Sequence, residues 1–209
     1  GGHNAENHNY NDVGQFMVIS DGRPLIVDPG SETYTRSTFG PERYTHWYIG
    51  SRGHNVPVVN GCEQAPGAEH AASQVVYAPQ GRVYTFSEDI AGAYPAEAGL
   101  KKLVRTAVVD WEARSISISD AIACNRPGID LDVWLHSPLP MTVVEPGVLA
   151  LGEFGRLCYD AALLDVRLEA LALVDPIMRN DWGDTLYRAV FSLHTEADTA
   201  AYTLVVRPA

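Results

Sequence analysis

The chain has 209 residues, 46% of them apolar, and carries 15 Lys and Arg against 26 Asp and Glu, a formal net charge of −11. That length can bury one full hydrophobic core, so one domain over residues 1–209 is expected. An acidic surface repels polyanions at long range, which removes nucleic acid from the expected partners. No apolar run approaches the ~20 residues that a helix needs to cross a bilayer, so no membrane partner is expected either.

The chain opens on Gly1-Gly2, with no initiator Met and no charged or apolar leader, and enters a polar, His-rich stretch at once. A fragment or processed product is therefore expected. His8, Tyr10 and Asp12 follow at i, i+2 and i+4, a spacing that puts side chains on one face of an extended strand. Imidazole, phenol and carboxylate together can move protons or bind a metal. The plainer reading is a polar loop at a frayed terminus.

Residues 15–20 and 24–28 read as two strands around Asp21-Gly22, a strong hairpin signal. Asp28-Pro29-Gly30 reads as the turn that follows, which makes a turn aspartate the plain role of Asp28. His54, in Gly50-Ser-Arg-Gly-His-Asn55, is by the same measure a loop histidine. Further along, 102–111 is expected to pair with 115–120, where strict alternation puts one face in the core. Later strands are expected at 131–136, 143–150, 156–159, 166–174, 187–193 and 201–206. Residues 163–173 have a composition that also suits a helix, and strand is preferred.

Strands at this spacing, punctuated by Gly and Pro, predict an all-β fold, a large antiparallel β-sandwich. Cys62, Cys124 and Cys158 are odd in number and make no CxxC pattern, so three thiols are expected rather than a disulfide framework.

His8-Asn-Tyr-Asn-Asp-Val-Gly-Gln-Phe16 resembles the H-x-H-x-D-x-x-S/G-F segment of heparinase II/III-like polysaccharide lyases. The resemblance continues, in order, through Asp21-Gly-Arg-Pro-Leu-Ile-Val-Asp-Pro-Gly30, Tyr34-Thr-Arg36, Arg43-Tyr44, Gly53-His-Asn-Val-Pro-Val-Val-Asn-Gly61, Tyr94-Pro-Ala-Glu-Ala-Gly99 and Trp182-Gly-Asp-Thr-Leu-Tyr-Arg188. It implies the C-terminal, supersandwich-like β-domain of an enzyme whose N-terminal (α/α) toroid lies outside this chain. It also implies cleavage of a uronate-containing acidic polysaccharide by β-elimination, with much of the proton transfer done by toroid residues, so that this chain alone is expected to be inactive. Export to the periplasm or beyond is the matching expectation.

Carried over residue by residue, the resemblance makes His8 the catalytic candidate of this chain. It makes Asp28 and His54 two ligands of a structural zinc. The third ligand position, a histidine in the motif, is held here by Tyr10. A phenol with a reference pKa near ~10 ligates poorly until it loses its proton. Three outcomes are open: Tyr10 binds as phenolate, His8 replaces it, or the metal is absent and Tyr10 bonds to Asp28 or His54. Arg36, Arg43 and Arg52 lie in the same region and are candidates for pairing with substrate carboxylates. A rival reading is a carbohydrate-binding or scaffolding β-domain with no chemistry of its own. A cupin-like metal oxygenase is a third, but its downstream ligand pattern is not evident.

Overall fold

The computed structural model describes residues 3–4, 8–40 and 42–209. A short first strand, β1 (His3–Asn4), precedes the hairpin β2 (Val18–Ser20) and β3 (Arg23–Ile26). Asp21 and Gly22 have φ of 50° and 75°, the left-handed pair that a two-residue type I′ turn demands. Next come β4 (Pro57–Val59), β5 (Gly67–Ala71), β6 (Ser73–Gln80), β7 (Val83–Asp89), β8 (Leu100–Asp110) and β9 (Ser115–Cys124). They are followed by β10 (Ile129–Ser137), β11 (Met141–Glu145), β12 (Val148–Leu151), β13 (Gly155–Cys158) and β14 (Asp165–Ala172). A helix of about two turns, α1 (Pro176–Trp182), leads to β15 (Thr185–Thr195) and β16 (Thr199–Pro208). Helix α1 starts where Asp175 caps the amide of Ile177 and Pro176 takes the first helical position.

The strands build an eight-stranded antiparallel sheet in the order β11-β12-β13-β16-β9-β8-β7-β6 and a four-stranded one in the order β14-β15-β10-β4. Their inner faces meet in one core. Leu103, Ile122, Leu204 and Val206 come from the large sheet, and Ile129, Leu131, Val133, Phe191 and Leu193 from the small one. Alternation along β9 decides which side faces in. Ile118, Asp120 and Ile122 are buried, while the hydroxyl of Ser119 meets that of Thr203 on the outer face at 2.8 Å. The expected all-β sandwich is the observed fold.

The small sheet covers the large one incompletely. Along one inner row, Leu204 and Ile118 are each 2% exposed, whereas Phe86 on β7 is 40% and Tyr77 on β6 is 62% exposed. Both faces of β6 are open to solvent, so it lacks the alternation by which a strand is recognised in sequence, and β5, β6 and β7 went unread there. Residues 143–150, expected as one strand, are two, because Glu145-Pro-Gly147 folds them into a hairpin with Gly147 at φ 85°. The preference for strand over helix at 163–173 is met by β14. All three cysteines are free thiols, Cys124 buried and the other two half-buried.

Candidate functional site

Strand β10 organises the site. Along one edge it pairs with β15. Along the other it pairs first with β4, through Leu131 to Val59 and Val133 to Pro57, and then through His136 with Val27, just past β3. Asp28 and His54 each lie just outside those pairings, so two residues 26 apart in sequence arrive side by side. His54 is fully buried, and its Nδ1 lies 2.7 Å from Asp28 Oδ2. Gly53 makes the close approach possible: a Cβ there would stand 2.4 Å from the carbonyl oxygen of Trp47.

Asp28 accepts three donors. Its Oδ1 accepts from the amide of Gly30 at 2.8 Å, and its Oδ2 from Gln15 Nε2 at 2.9 Å as well as from His54. The carbonyl end of Gln15 accepts the amide of Asn55 at 2.6 Å. Asn55 in turn donates to the carbonyls of Phe16 and Val27, each at 2.9 Å, and accepts the amide of His136 at 2.9 Å. Underneath, Arg105 reaches in from the large sheet. It grips Asp120 with two bonds of 2.9 and 2.7 Å and gives Nη1 to the carbonyls of Gly14 and Asn55, both at 2.8 Å. Tyr202 adds its hydroxyl to Asp120. The Asp120 carboxylate holds the buried Arg105 firmly protonated against the cost of its burial, and burial next to Asp120 drives the Tyr202 phenol far up.

Tyr10 packs its ring against the imidazole of His54, with centroids 5.0 Å apart at 36°. Burial, with Tyr34 and Asp28 nearby, pushes the pKa of Tyr10 up to about 12. Asp12 enters the same cluster: one ligand-type atom from each of Asp12, Asp28 and His54 lies within 4.8 Å of the others. Burial raises the pKa of Asp12, the nearby Asp28 adds to the rise, and His54 opposes it.

His8 stands outside this cluster, exposed, with its ring 5.5 Å from Tyr34 and 5.2 Å from Phe39. Tyr34 joins the two groups, since it stacks on His8 and also acts on Tyr10. The three arginines part company. Arg43 is buried, and its guanidinium donates to the backbone carbonyls of Thr38, at 2.7 Å, and Asn9, which gives it a local structural duty. Arg52 pairs with Glu63. Arg36 is exposed beside the Ser37–Phe39 turn.

Sequence reasoning missed Gln15, Asn55, Arg105 and His136. Gln15 and Asn55 sit inside the two motif segments and were legible as neighbours. His136 is fully buried, with its pKa well below the usual value, chiefly through desolvation and then through Arg188 and His54.

The zinc set that the resemblance implies, Tyr10 with Asp28 and His54, is not met by these residues. Two donors on one tetrahedral zinc, with bonds of ~2.0–2.1 Å, stand ~3.3 Å apart, wider than the 2.7 Å between His54 Nδ1 and Asp28 Oδ2. Tyr10 meets His54 through its ring, with centroids 5.0 Å apart.

The chain is thus an antiparallel β-sandwich with a buried His54–Asp28 pair at the edge of its small sheet and an exposed histidine, His8, in a neighbouring aromatic group. The family model described as "Heparinase II/III-like, C-terminal" matches residues 1–155, and the chain belongs to that family. Among solved structures it is similar to the heparan sulfate lyase HepC from Pedobacter heparinus, with a TM-score of 0.67, 15% identity, and coverage of 95% of this chain and 30% of that one. A heparinase III gene product gives a TM-score of 0.68 at 15% identity, with 96% and 30% covered. At that identity the likeness is one of fold. The chain spans about a third of the length of these relatives. No curated protein sequence matches it.

Proposed function

We propose that this chain is the β-domain of a polysaccharide lyase that cleaves a uronate-containing acidic glycan by β-elimination. The observation that carries the reading is the family match over residues 1–155, with the motif histidine His8 standing open to solvent. In β-elimination a base removes the proton α to the uronate carboxylate, the C4–O bond breaks, and the leaving oxygen takes up a proton. An imidazole can give or take a proton near neutral pH, and His8 is held at the surface by Tyr34 and Phe39 rather than buried with His54. The exposed rings of Tyr34 and Phe39 are suited to stack on a sugar beside it.

A net charge of −11 argues that this chain does not draw in a polyanion by itself. The cationic groove and the remaining acid–base groups then belong to a helical toroid domain of the same protein, and the whole enzyme works in the periplasm or outside the cell. The test is the rise in ultraviolet absorbance that an unsaturated uronate product gives. The 209-residue chain should give none on a panel of uronate glycans. A protein carrying the toroid as well should give one that His8→Ala reduces by 10²-fold or more, the scale of a lost acid–base group. Unchanged turnover in the His8→Ala protein would overturn the role given to His8. Absence of product from the longer protein on every glycan would overturn the lyase reading and favour a domain that binds glycan without cleaving it.

A further inference from the structure

We propose that Gln15 holds the place that a metal ion takes in the ligand pattern, so that the Asp28–His54 site of this chain is a metal-independent hydrogen-bonded clamp. A structural metal at such a site has one duty, to join backbone segments far apart in sequence by sharing their side chains. The carboxamide of Gln15 performs that duty with hydrogen bonds. Its Nε2 donates to Asp28 Oδ2 at 2.9 Å, and its Oε1 accepts the amide of Asn55, next to His54, at 2.6 Å. Three segments, around residues 15, 28 and 54, are thereby tied through one side chain. The motif has Ser or Gly at this position, and neither is long enough to span the gap.

The rest of the site is consistent with a proton, not a cation, between Asp28 and His54. Asp28 already accepts three donors. A metal on Oδ2 would have to displace both His54 Nδ1–H and the Gln15 amide, and the displaced carboxamide would be left half-buried without a partner, at a cost of ~1–3 kcal/mol. Tyr10, in the third ligand position, lays its ring against the imidazole. Tyr10 and Gln15 thus act in the same direction: one offers no imidazole at the third ligand position, and the other makes the link that a metal would make. Two features lean the other way. Asp12 reaches the cluster, and His54 Nε2 is buried with no partner among the described residues. They are the atoms on which a metal would be found if the proposal is wrong.

The inference is independent of the lyase reading, because it concerns what holds the loops and not what is cleaved. It is tested on the chain as it stands by elemental analysis and thermal unfolding. The purified protein should hold well under one zinc, manganese or calcium per chain, and its Tm should move by less than ~1 °C with excess zinc or with a chelator. The double variant Tyr10→His, Gln15→Ser restores the small residue and the imidazole. Zinc at a hundredfold excess over its dissociation constant should raise the Tm of that variant by roughly 5–10 °C. A stoichiometric metal in the unaltered chain, or a Tm that zinc raises and a chelator lowers, overturns the proposal; loss of that metal in Asp12→Asn would then identify the ligand that replaced Tyr10. A double variant that folds, by circular dichroism, yet does not respond to zinc overturns the role given to residues 10 and 15. Should the double variant not fold, the measurements on the unaltered chain decide the matter alone.

Discussion

His54 Nδ1 and Asp28 Oδ2 lie 2.7 Å apart, although 25 residues separate them in the chain and neither sits in a long strand. Their meeting is imposed by β10, whose free edge takes β4 and Val27 in succession. The same edge makes the site sensitive to changes that touch neither residue.

Asp28→Ala should be costly. It strands the His54 ring N–H, the Gln15 amide and the Gly30 amide at once. A buried donor left unpaired costs ~1–3 kcal/mol, and part of the site is open to water, so a loss of roughly 2–4 kcal/mol is expected. Urea unfolding at neutral pH checks it, and a loss under ~1 kcal/mol would mean that water replaces the carboxylate well.

Arg105→Met should cost roughly 3–5 kcal/mol, the range for breaking a buried ion pair on one side. Asp120 would remain buried without its partner, and the carbonyls of Gly14 and Asn55 would lose a shared donor. The double change Arg105→Met, Asp120→Leu removes both charges and should recover a large part of that loss. Equal stability of the single and double variants would show that the carbonyl contacts, and not the stranded charge, carry the penalty.

Gly53→Ala should disrupt the approach to His54. The added Cβ would meet Trp47 O at 2.4 Å and Tyr48 Cα at 2.8 Å, both backbone atoms that move only with the chain. Overpacking of this kind costs roughly 1–3 kcal/mol or more. Thermal unfolding measures the loss, and nuclear magnetic resonance of the His54 ring should show it displaced.

The pH dependence assigned to Asp12 has a definite sign. Its folded pKa is raised, first by burial and then by Asp28, so the folded state holds a proton that the unfolded chain releases earlier. Folded-state stability is therefore lost as pH rises from the ordinary carboxylate value through the raised one. Asp12→Asn removes that loss. It should be the more stable protein at pH 7, with the advantage vanishing as pH falls below the ordinary value of 3.8. Parallel chemical denaturation of both proteins at several pH values tests this, and a variant less stable at pH 7 would show that the Asp12 carboxylate has a favourable partner, such as a cation.

Much of the fold is local and was legible. Asp21-Gly22 dictates a type I′ turn because those residues tolerate positive φ, and 115–120 declares its two faces by alternation. The motif segments named Asp28, His54 and Tyr10, which the structure does bring together, and His8, which it places in a neighbouring aromatic group. Strand β6 was not legible, because a strand exposed on both faces has no period to read. Nor were the supports of the site. Arg105 is 91 residues from Gly14 and His136 is 81 from Asn55, and nothing in a local pattern announces which distant arginine will lie beneath a loop. The amino-acid sequence settled the turns, the alternation and the identity of the site residues, because these follow from short-range sterics and side-chain chemistry. Which donors meet Asp28 was decided only when the two sheets packed and brought the segments around residues 15, 28 and 54 within hydrogen-bond reach.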